Sequence, residues 1–198
     1  MDLATIGALA IFIAVMTGTP GPGNLTFMAI GTNGGYRAAF PVIVASQIGS
    51  TCLHISVAFG LGHIMAEGGP LVTAFKALSM AYMTYLAWRI INLSLKPKGQ
   101  VSNPSFWEGL LIHPLSPKTW AMSLVAFTTF LAANGLSSIE NAVILTGGFL
   151  VGGLTAHSIW ALAGQTLLSV IGEGTKQRVI TIVMALAMLA ATAWSLLL

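Results

Sequence analysis

No charged side chain occurs between Leu3 and Tyr36, and none occurs between Ala38 and Ala66. Thr119 to Ile139, Asn141 to Gly172 and Val179 to Leu198 are equally free of charge. A helix needs about 20 largely apolar residues to cross the hydrocarbon of a bilayer, and each of these runs reaches that length. A soluble domain wets its surface with roughly 25% charged residues; here 7% are charged and 56% are hydrophobic. The mean hydropathy of +0.87 points the same way. The chain therefore reads as an all-α, polytopic membrane protein. Six spans are expected, near 3–30, 38–62, 71–93, 106–132, 141–170 and 179–198. The third carries Lys76 near its start and Arg89 near its end, where long apolar stems let the charges snorkel to the interfaces. Residues 1–198 form one transmembrane domain in this reading.

The opening Met1-Asp2 lacks a positive n-region, and the apolar stretch runs past the usual h-region length, so a cleaved signal peptide is not expected. The single Cys52 allows no internal disulfide and reads as a small buried hydrophobe. The net charge of +3 reflects loop charges and does not point to nucleic acid. Those loop charges bear on orientation. Arg37, then Arg89, Lys96 and Lys98, then Lys176 and Arg178 follow the odd-numbered spans, while Asp2, Glu67, Lys76 and Glu140 lie on the other side. The positive-inside rule places the basic loops in the cytoplasm and both termini outside.

The hydrophilic stretch KPKGQVSNPS, Lys96 to Ser105, separates two halves of three spans each. The expected division is a first repeat over about 1–93, a cytoplasmic linker over about 94–105 and a second repeat over about 106–198. An odd number of spans per half makes the halves inverted, a recurring transporter architecture. At an offset of 103 residues, Gly49 aligns with Gly152, His54 with His157 and Ala58 with Ala161.

The first span of each half is interrupted. Thr19-Pro20-Gly21-Pro22-Gly23-Asn24 and His113-Pro114-Leu115-Ser116-Pro117-Lys118 each place two prolines deep in an apolar run. Proline removes an amide donor and clashes with the preceding turn, so both helices are expected to break. In lipid, a break is tolerated where its backbone lines a protein cavity. Asn24 is positioned to cap a half-helix from Leu25, and Ser116 to cap one from Lys118, with Pro117 in the first turn. The exposed amides then favour an anion. Lys118 opposes the helix dipole unless an anion occupies the gap, and a substrate carboxylate is such an anion. Carbonyls freed before the breaks are expected to accept from a substrate ammonium group. Simple kinking is the competing reading.

No Asp or Glu lies in a span core, which leaves His54, His113, His157 and Lys118 as groups that could carry protons, with His54, His157 and Lys118 taken as the proton-coupling candidates. His113 is grouped with the substrate-binding positions. For each histidine, a structural hydrogen bond between helices is the rival role. Gln47, Ser50, Thr51 and His54 share one helical face, expected to look into the bundle. Gly148 and Gly152 read as close helix packing, and Tyr82, Tyr85 and Trp88 as an interfacial anchor.

Taken together, PGPGN at 20–24, GGYRAA at 34–39, AYMTYLAWR at 81–89 and SPK at 116–118 resemble the LysE/RhtB family of amino-acid exporters. Length, span number and motif order match throughout the chain. The resemblance implies efflux of amino acids or their derivatives across the cytoplasmic (inner) membrane, driven by an ion gradient. It implies functional roles for Pro22, Gly23, Asn24, Pro117 and Lys118. Two departures stand out. Ser116-Pro117-Lys118 replaces the usual Asn-Pro-Lys, and Gly49-Ser50 stands where many members carry an acid after the glycine. The second removes an obvious proton carrier.

The resulting expectation is a secondary exporter of a small amino acid or derivative, working by proton antiport. The expected substrate-binding residues are Pro20, Gly21, Pro22, Gly23, Asn24, Gln47, Ser50, His113, Ser116, Pro117 and Lys118. Neither a metal site nor a cofactor is expected. The partners are a small-molecule substrate and the lipid bilayer, and a chain this small suits a homodimer. No HExxH, P-loop or intramembrane acid supports an enzyme. A metal or other cation exporter and a non-transporting accessory subunit are the rival functions.

Overall fold

The computed structural model describes residues 1–61, 69–95 and 103–197. Glu67 and most of the expected linker, with Lys96 and Lys98, lie outside the described residues. The described residues are helical and include no strand. In chain order the helices are α1 (Leu3–Gly18), α2 (Pro22–Gly34), α3 (Tyr36–Ala58), α4 (Pro70–Leu95), α5 (Phe106–Leu111), α6 (Pro117–Ala126), α7 (Ser138–Ile171) and α8 (Thr175–Leu197). A π turn, Phe127–Leu131, extends α6.

The helix boundaries follow local chemistry. Asp2 accepts from the Thr5 amide at 2.7 Å and starts α1. Ser105 with Glu108, and Ser137 with Glu140, close reciprocal capping boxes at the starts of α5 and α7. Gly172 ends α7 at φ 71°, a left-handed conformation suited to glycine. With no proline inside it, α7 runs for 34 residues, roughly 50 Å at ~1.5 Å per residue. That exceeds a hydrocarbon core of about 30 Å, so α7 tilts or protrudes.

Three helices, α3, α7 and α8, are individually long and apolar enough to cross a bilayer. The pair α1–α2, bent by 52°, makes a fourth crossing or a re-entrant loop. The expected breaks are therefore present, between α1 and α2 and between α5 and α6. Outward faces carry large apolar side chains, among them Ile11, Val15, Val151, Ile159 and Val183, as a lipid-facing surface requires. Cys52 also lies on the exposed surface, not in the interior as expected.

Buried apolar residues form two clusters. One joins Phe27 and Ile30 of α2, Val42 and Ile43 of α3, Leu86 and Ile90 of α4, Ala161 of α7 and Met188 of α8. The other joins Leu9 and Ile13 of α1, Leu53 and Val57 of α3, Met122 of α6 and Leu145 and Phe149 of α7. Along α3, α7 and the α1–α2 pair, buried polar residues lie between the two clusters: Thr17, Asn24, Gln47, Ser50, His54 and His157. A polar belt thus crosses the middle of the molecule.

Small residues bring the helices around this belt into backbone contact. A Cβ on Gly31 would collide with the Ala161 carbonyl, and one on Gly164 with the Met28 carbonyl, where α2 crosses α7. Gly49 meets the Leu110 carbonyl, and Gly109 the Val42 carbonyl, where α3 crosses α5. Gly148 and Gly152 seat Ile13 of α1 against α7, as their spacing suggested.

At the far end of α4, Arg89 Nε donates to Glu108 Oε1 at 2.9 Å. Tyr85 donates to the same oxygen at 2.6 Å, and Tyr82 to the Glu108 carbonyl. Arg89 is thus paired, where snorkelling was expected. Lys76 caps α8 by donating to the Leu196 carbonyl at 2.8 Å.

Gly164→Leu forces a side chain into the backbone of α2. Overpacking of this kind costs on the order of 3 kcal/mol or more, lowering the melting temperature in detergent by roughly 10 °C. Gly7 has no neighbour within 4 Å, and Gly7→Ala should leave the melt unchanged.

Candidate functional site

Two broken helices in an apolar medium leave carbonyls without helical partners, and each unmet group buried there costs free energy. At the first break these carbonyls find donors. Thr19 N–H donates to Val15 O at 2.9 Å, and the Thr19 hydroxyl to Met16 O at 3.1 Å. Asn24 Nδ2 donates to Thr17 O at 2.7 Å and Thr19 O at 2.8 Å. The Trp160 indole reaches Gly18 O at 3.1 Å. Lys118 Nζ donates to Thr19 O at 2.9 Å, Thr19 Oγ1 at 2.8 Å and Pro20 O at 3.4 Å. At the second break, Trp120 Nε1 donates to Pro114 O at 2.8 Å, and the Ser116 amide to His113 O at 3.0 Å.

These bonds revise four expectations. Asn24 is not the cap of α2: Gly21 holds that position, Pro22 opens the helix, and the Asn24 side chain turns back towards the end of α1. Ser116 does occupy the N-cap of α6 with Pro117 after it, but its hydroxyl makes no capping bond. Lys118 needs no anion to balance it at its own helix. Its ammonium crosses to the C-terminal end of α1, where the helix dipole favours a cation. At the first break, the carbonyls expected to receive a substrate ammonium are already occupied.

The amides behave differently. Among the described residues, no acceptor meets the first-turn amides of Gly23 and Asn24 in α2 or of Lys118 in α6. They belong to a cavity of about 20 Å³ lined by Gly21, Pro22, Gly23, Asn24, His113, Ser116, Lys118, Thr119 and His157, with Met16, Thr17 and Met122. The glycines of the 20–24 motif are explained by close approach. A Cβ on Gly21 would lie 2.8 Å from Lys118 Cδ, and one on Gly23 would lie 3.0 Å from His113 Cε1.

A second cavity of about 10 Å³ adjoins the first, and Thr17, His113, Thr119, Met122 and His157 line both. Gln47, Ser50, His54, Phe149 and Gly153 complete the second. Ser50 donates to Gln47 Oε1 at 3.1 Å. His54 Nδ1 pairs with Ser123 Oγ at 2.9 Å, and its ring stacks on Phe149 at 4.3 Å between centroids. Gln47 Nε2 and His54 Nε2 are buried and have no partner. Thr51, on the same face in sequence, is only half-buried.

His157 ties the belt together. Its Nδ1 lies 2.7 Å from Asn24 Oδ1 and its Nε2 lies 3.0 Å from His113 Nε2. His113 Nδ1 lies 3.2 Å from Thr119 Oγ1. The structure therefore brings Gly21, Pro22, Gly23, Asn24, His113, Ser116, Pro117, Lys118 and His157 to one place, with Gln47, Ser50 and His54 beside it. Pro20 is exposed and contributes its carbonyl. Thr19, Thr119, Ser123, Trp120 and Trp160 were missed in the sequence. For Thr119 and Ser123 the signal was present, as two hydroxyls four residues apart on an otherwise apolar helix.

A cavity near 10–15 Å³ holds about one water, so neither cavity admits an amino acid without helix movement. A larger concavity, about 560 Å³, lies elsewhere, on the outer face between α1 and α7. Ile13, Val151, Ile159 and other apolar groups line it, which suits lipid chains and not a polar solute.

A family model described as LysE type translocator matches residues 13–197. The cysteine/O-acetylserine efflux protein of Escherichia coli (strain K12) is 25% identical over 169 residues, covering 83% of this chain and 85% of that protein. The protein of the same description from Shigella sonnei (strain Ss046) matches to the same extent. No solved structure matches the chain.

Asn24→Ala removes both donors to Thr17 O and Thr19 O and the partner of His157. With buried groups each costing about 1–3 kcal/mol when left unpaired, the variant should unfold well below wild type in a detergent melt. An unchanged melt would mean that water replaces the amide at the break.

Proposed function

The chain belongs to the LysE type translocator family, and from that premise we propose that it exports a small amino acid or amino-acid derivative across the cytoplasmic membrane. In this proposal transport is secondary, by proton antiport, with alternating access between two inverted three-span halves. The basic loops face the cytoplasm and both termini lie outside.

One observation carries the reading. Two proline-broken helices, far apart in sequence, meet at their breaks, and Lys118 of one holds the carbonyls of the other. Free amides and a movable ammonium beside a buried polar belt suit a carboxylate, which would draw Lys118 away from Thr19 and Pro20. Pro20, Gly21, Pro22, Gly23, Asn24, His113, Ser116, Pro117 and Lys118 form this binding region, with Gln47 and Ser50 reaching it from α3. The inverted-repeat reading is supported by how the aligned glycines are used. Gly49 of the first half packs on α5 of the second, and Gly152 of the second packs on α1 of the first.

The substrate class is proposed from two sides. The relatives named above are efflux proteins for cysteine and O-acetylserine. No carboxylate of the described residues lines either cavity, which disfavours a cationic side chain on the substrate. A small neutral amino acid or its acyl ester fits both.

The test is uptake into inside-out proteoliposomes of labelled neutral amino acids, cysteine and O-acetylserine included, with and without an imposed pH gradient. Gradient-stimulated accumulation of at least one is expected. Lys118→Ala should lower that accumulation by tenfold or more while the protein remains folded. Wild-type accumulation in the variant would refute the role of Lys118, and absence of any gradient-driven uptake by the wild type would refute the antiport reading.

A further inference from the structure

We propose that His113 and His157 together form a one-proton site, and that the proton and the substrate's ammonium group compete for its terminal acceptor, His113 Nδ1. The inference rests on the export reading above and gives it a coupling chemistry that needs no carboxylate.

Hydrogen-bond directions fix the state of the uncharged pair. Asn24 Nδ2 faces two carbonyls, Thr17 O and Thr19 O, which only accept. Its Oδ1 must therefore face His157, and at 2.7 Å it requires a hydrogen on His157 Nδ1. A neutral His157 then offers a lone pair at Nε2, so His113 Nε2 donates across the 3.0 Å contact. His113 Nδ1 is left as an acceptor and takes the Thr119 hydroxyl at 3.2 Å. The chain runs one way, from Thr119 through His113 and His157 to Asn24.

One additional proton has one place to enter, His113 Nδ1. Its arrival lets the proton on His113 Nε2 pass to His157 Nε2, and the pair carries a single positive charge over an intact N–H···N bond. Both Nδ1 atoms then donate, to Thr119 Oγ1, whose own hydrogen turns away, and to Asn24 Oδ1. A second proton would set two N–H groups against each other at 3.0 Å, so the pair takes one and no more.

The neighbours leave that charge uncompensated. Lys118 reaches the first cavity from α6, and His54 the second from α3. Neither α2, α5 nor α7 presents an acid to either cavity among the described residues. The acceptors freed by the α1–α2 break are filled by Asn24, Lys118, Trp160 and Thr19. Of the nitrogens of the pair, a substrate ammonium finds a basic acceptor at His113 Nδ1, in the place the Thr119 hydroxyl now holds, while His54 Nε2 stands without a partner in the second cavity. A proton at that nitrogen turns the acceptor into a donor. Occupancy by one excludes the other, which is the logic of antiport.

Two measurements test this. Nitrogen NMR of the purified protein labelled with [15N]histidine, assigned with single histidine variants, reads the pair without any transport. Hydrogen on His157 Nδ1 and His113 Nε2 at high pH, and uptake of one proton shared by the two rings on acidification, are expected. Independent titration of the rings, or uptake of two protons, would overturn the proton site. In proteoliposomes, the half-saturating substrate concentration should rise about tenfold per pH unit on the acid side of that titration, the slope of one-proton competition. His113→Gln, which removes the contested nitrogen, should flatten the slope, and a variant keeping it would overturn the competition. A shared proton in a protein that carries no amino acid would instead defeat the export reading and leave the proton site standing.

Discussion

A backbone carbonyl in hydrocarbon has no water to turn to, and that constraint organises the centre of this protein. Prolines 20, 22, 114 and 117 break two helices inside the chain's long apolar runs. Each break therefore has to be met by side chains from elsewhere in the fold. The residues that meet the first one come from α2, α6 and α7, and they are Asn24, Lys118 and Trp160. The breaks are thus what gathers the helices around the polar belt. Glycine at 21 and 23 follows from the same need, since the Lys118 stem and the His113 ring pass where side chains would otherwise stand.

Satisfying the carbonyls while leaving amides open gives the site a definite chemical character. The groups without partners include several donors, Gln47 Nε2 and the first-turn amides of α2 and α6, with the imidazole nitrogen His54 Nε2 beside them. The histidines add an uncharged, directional relay whose end, His113 Nδ1, is a basic acceptor. A region built this way can distinguish the two poles of a zwitterion without holding a carboxylate of its own.

The sequence made the helical class, the membrane setting and both breaks legible, because proline and charge act locally. It also made His54 and His157 visible as a matched pair. What it left hidden was direction. The spacing of Asn24 suggested a cap, yet its amide faces backwards because two open carbonyls of α1 compete for it. Lys118 looked stranded at a helix start, but the flexible stem reaches an end of α1 that is 99 residues away. The pairing of His113 with His157, and of Arg89 with Glu108, depends on helix crossings set by glycines against carbonyls. No local pattern encodes those crossings.

Those same crossings set which groups of the belt meet. α2 is locked to α7 through Gly31 and Gly164, and α3 to α5 through Gly49 and Gly109. Backbone contacts of this kind slide poorly, which fixes both crossings. Asn24–His157 lies on the first, and His54–Ser123 joins α3 to α6 beside the second. His113 meets His157 between the two, Lys118 of α6 meets Thr19 and Pro20 at the α1–α2 break, and Tyr36 of α3 bonds Gln165 and Ser158 of α7. Cavities that hold about one water each must widen to admit an amino acid. In the proposed antiport, the His113–His157 contact is the one a proton redistributes, and the Lys118 contact is the one a carboxylate would draw away.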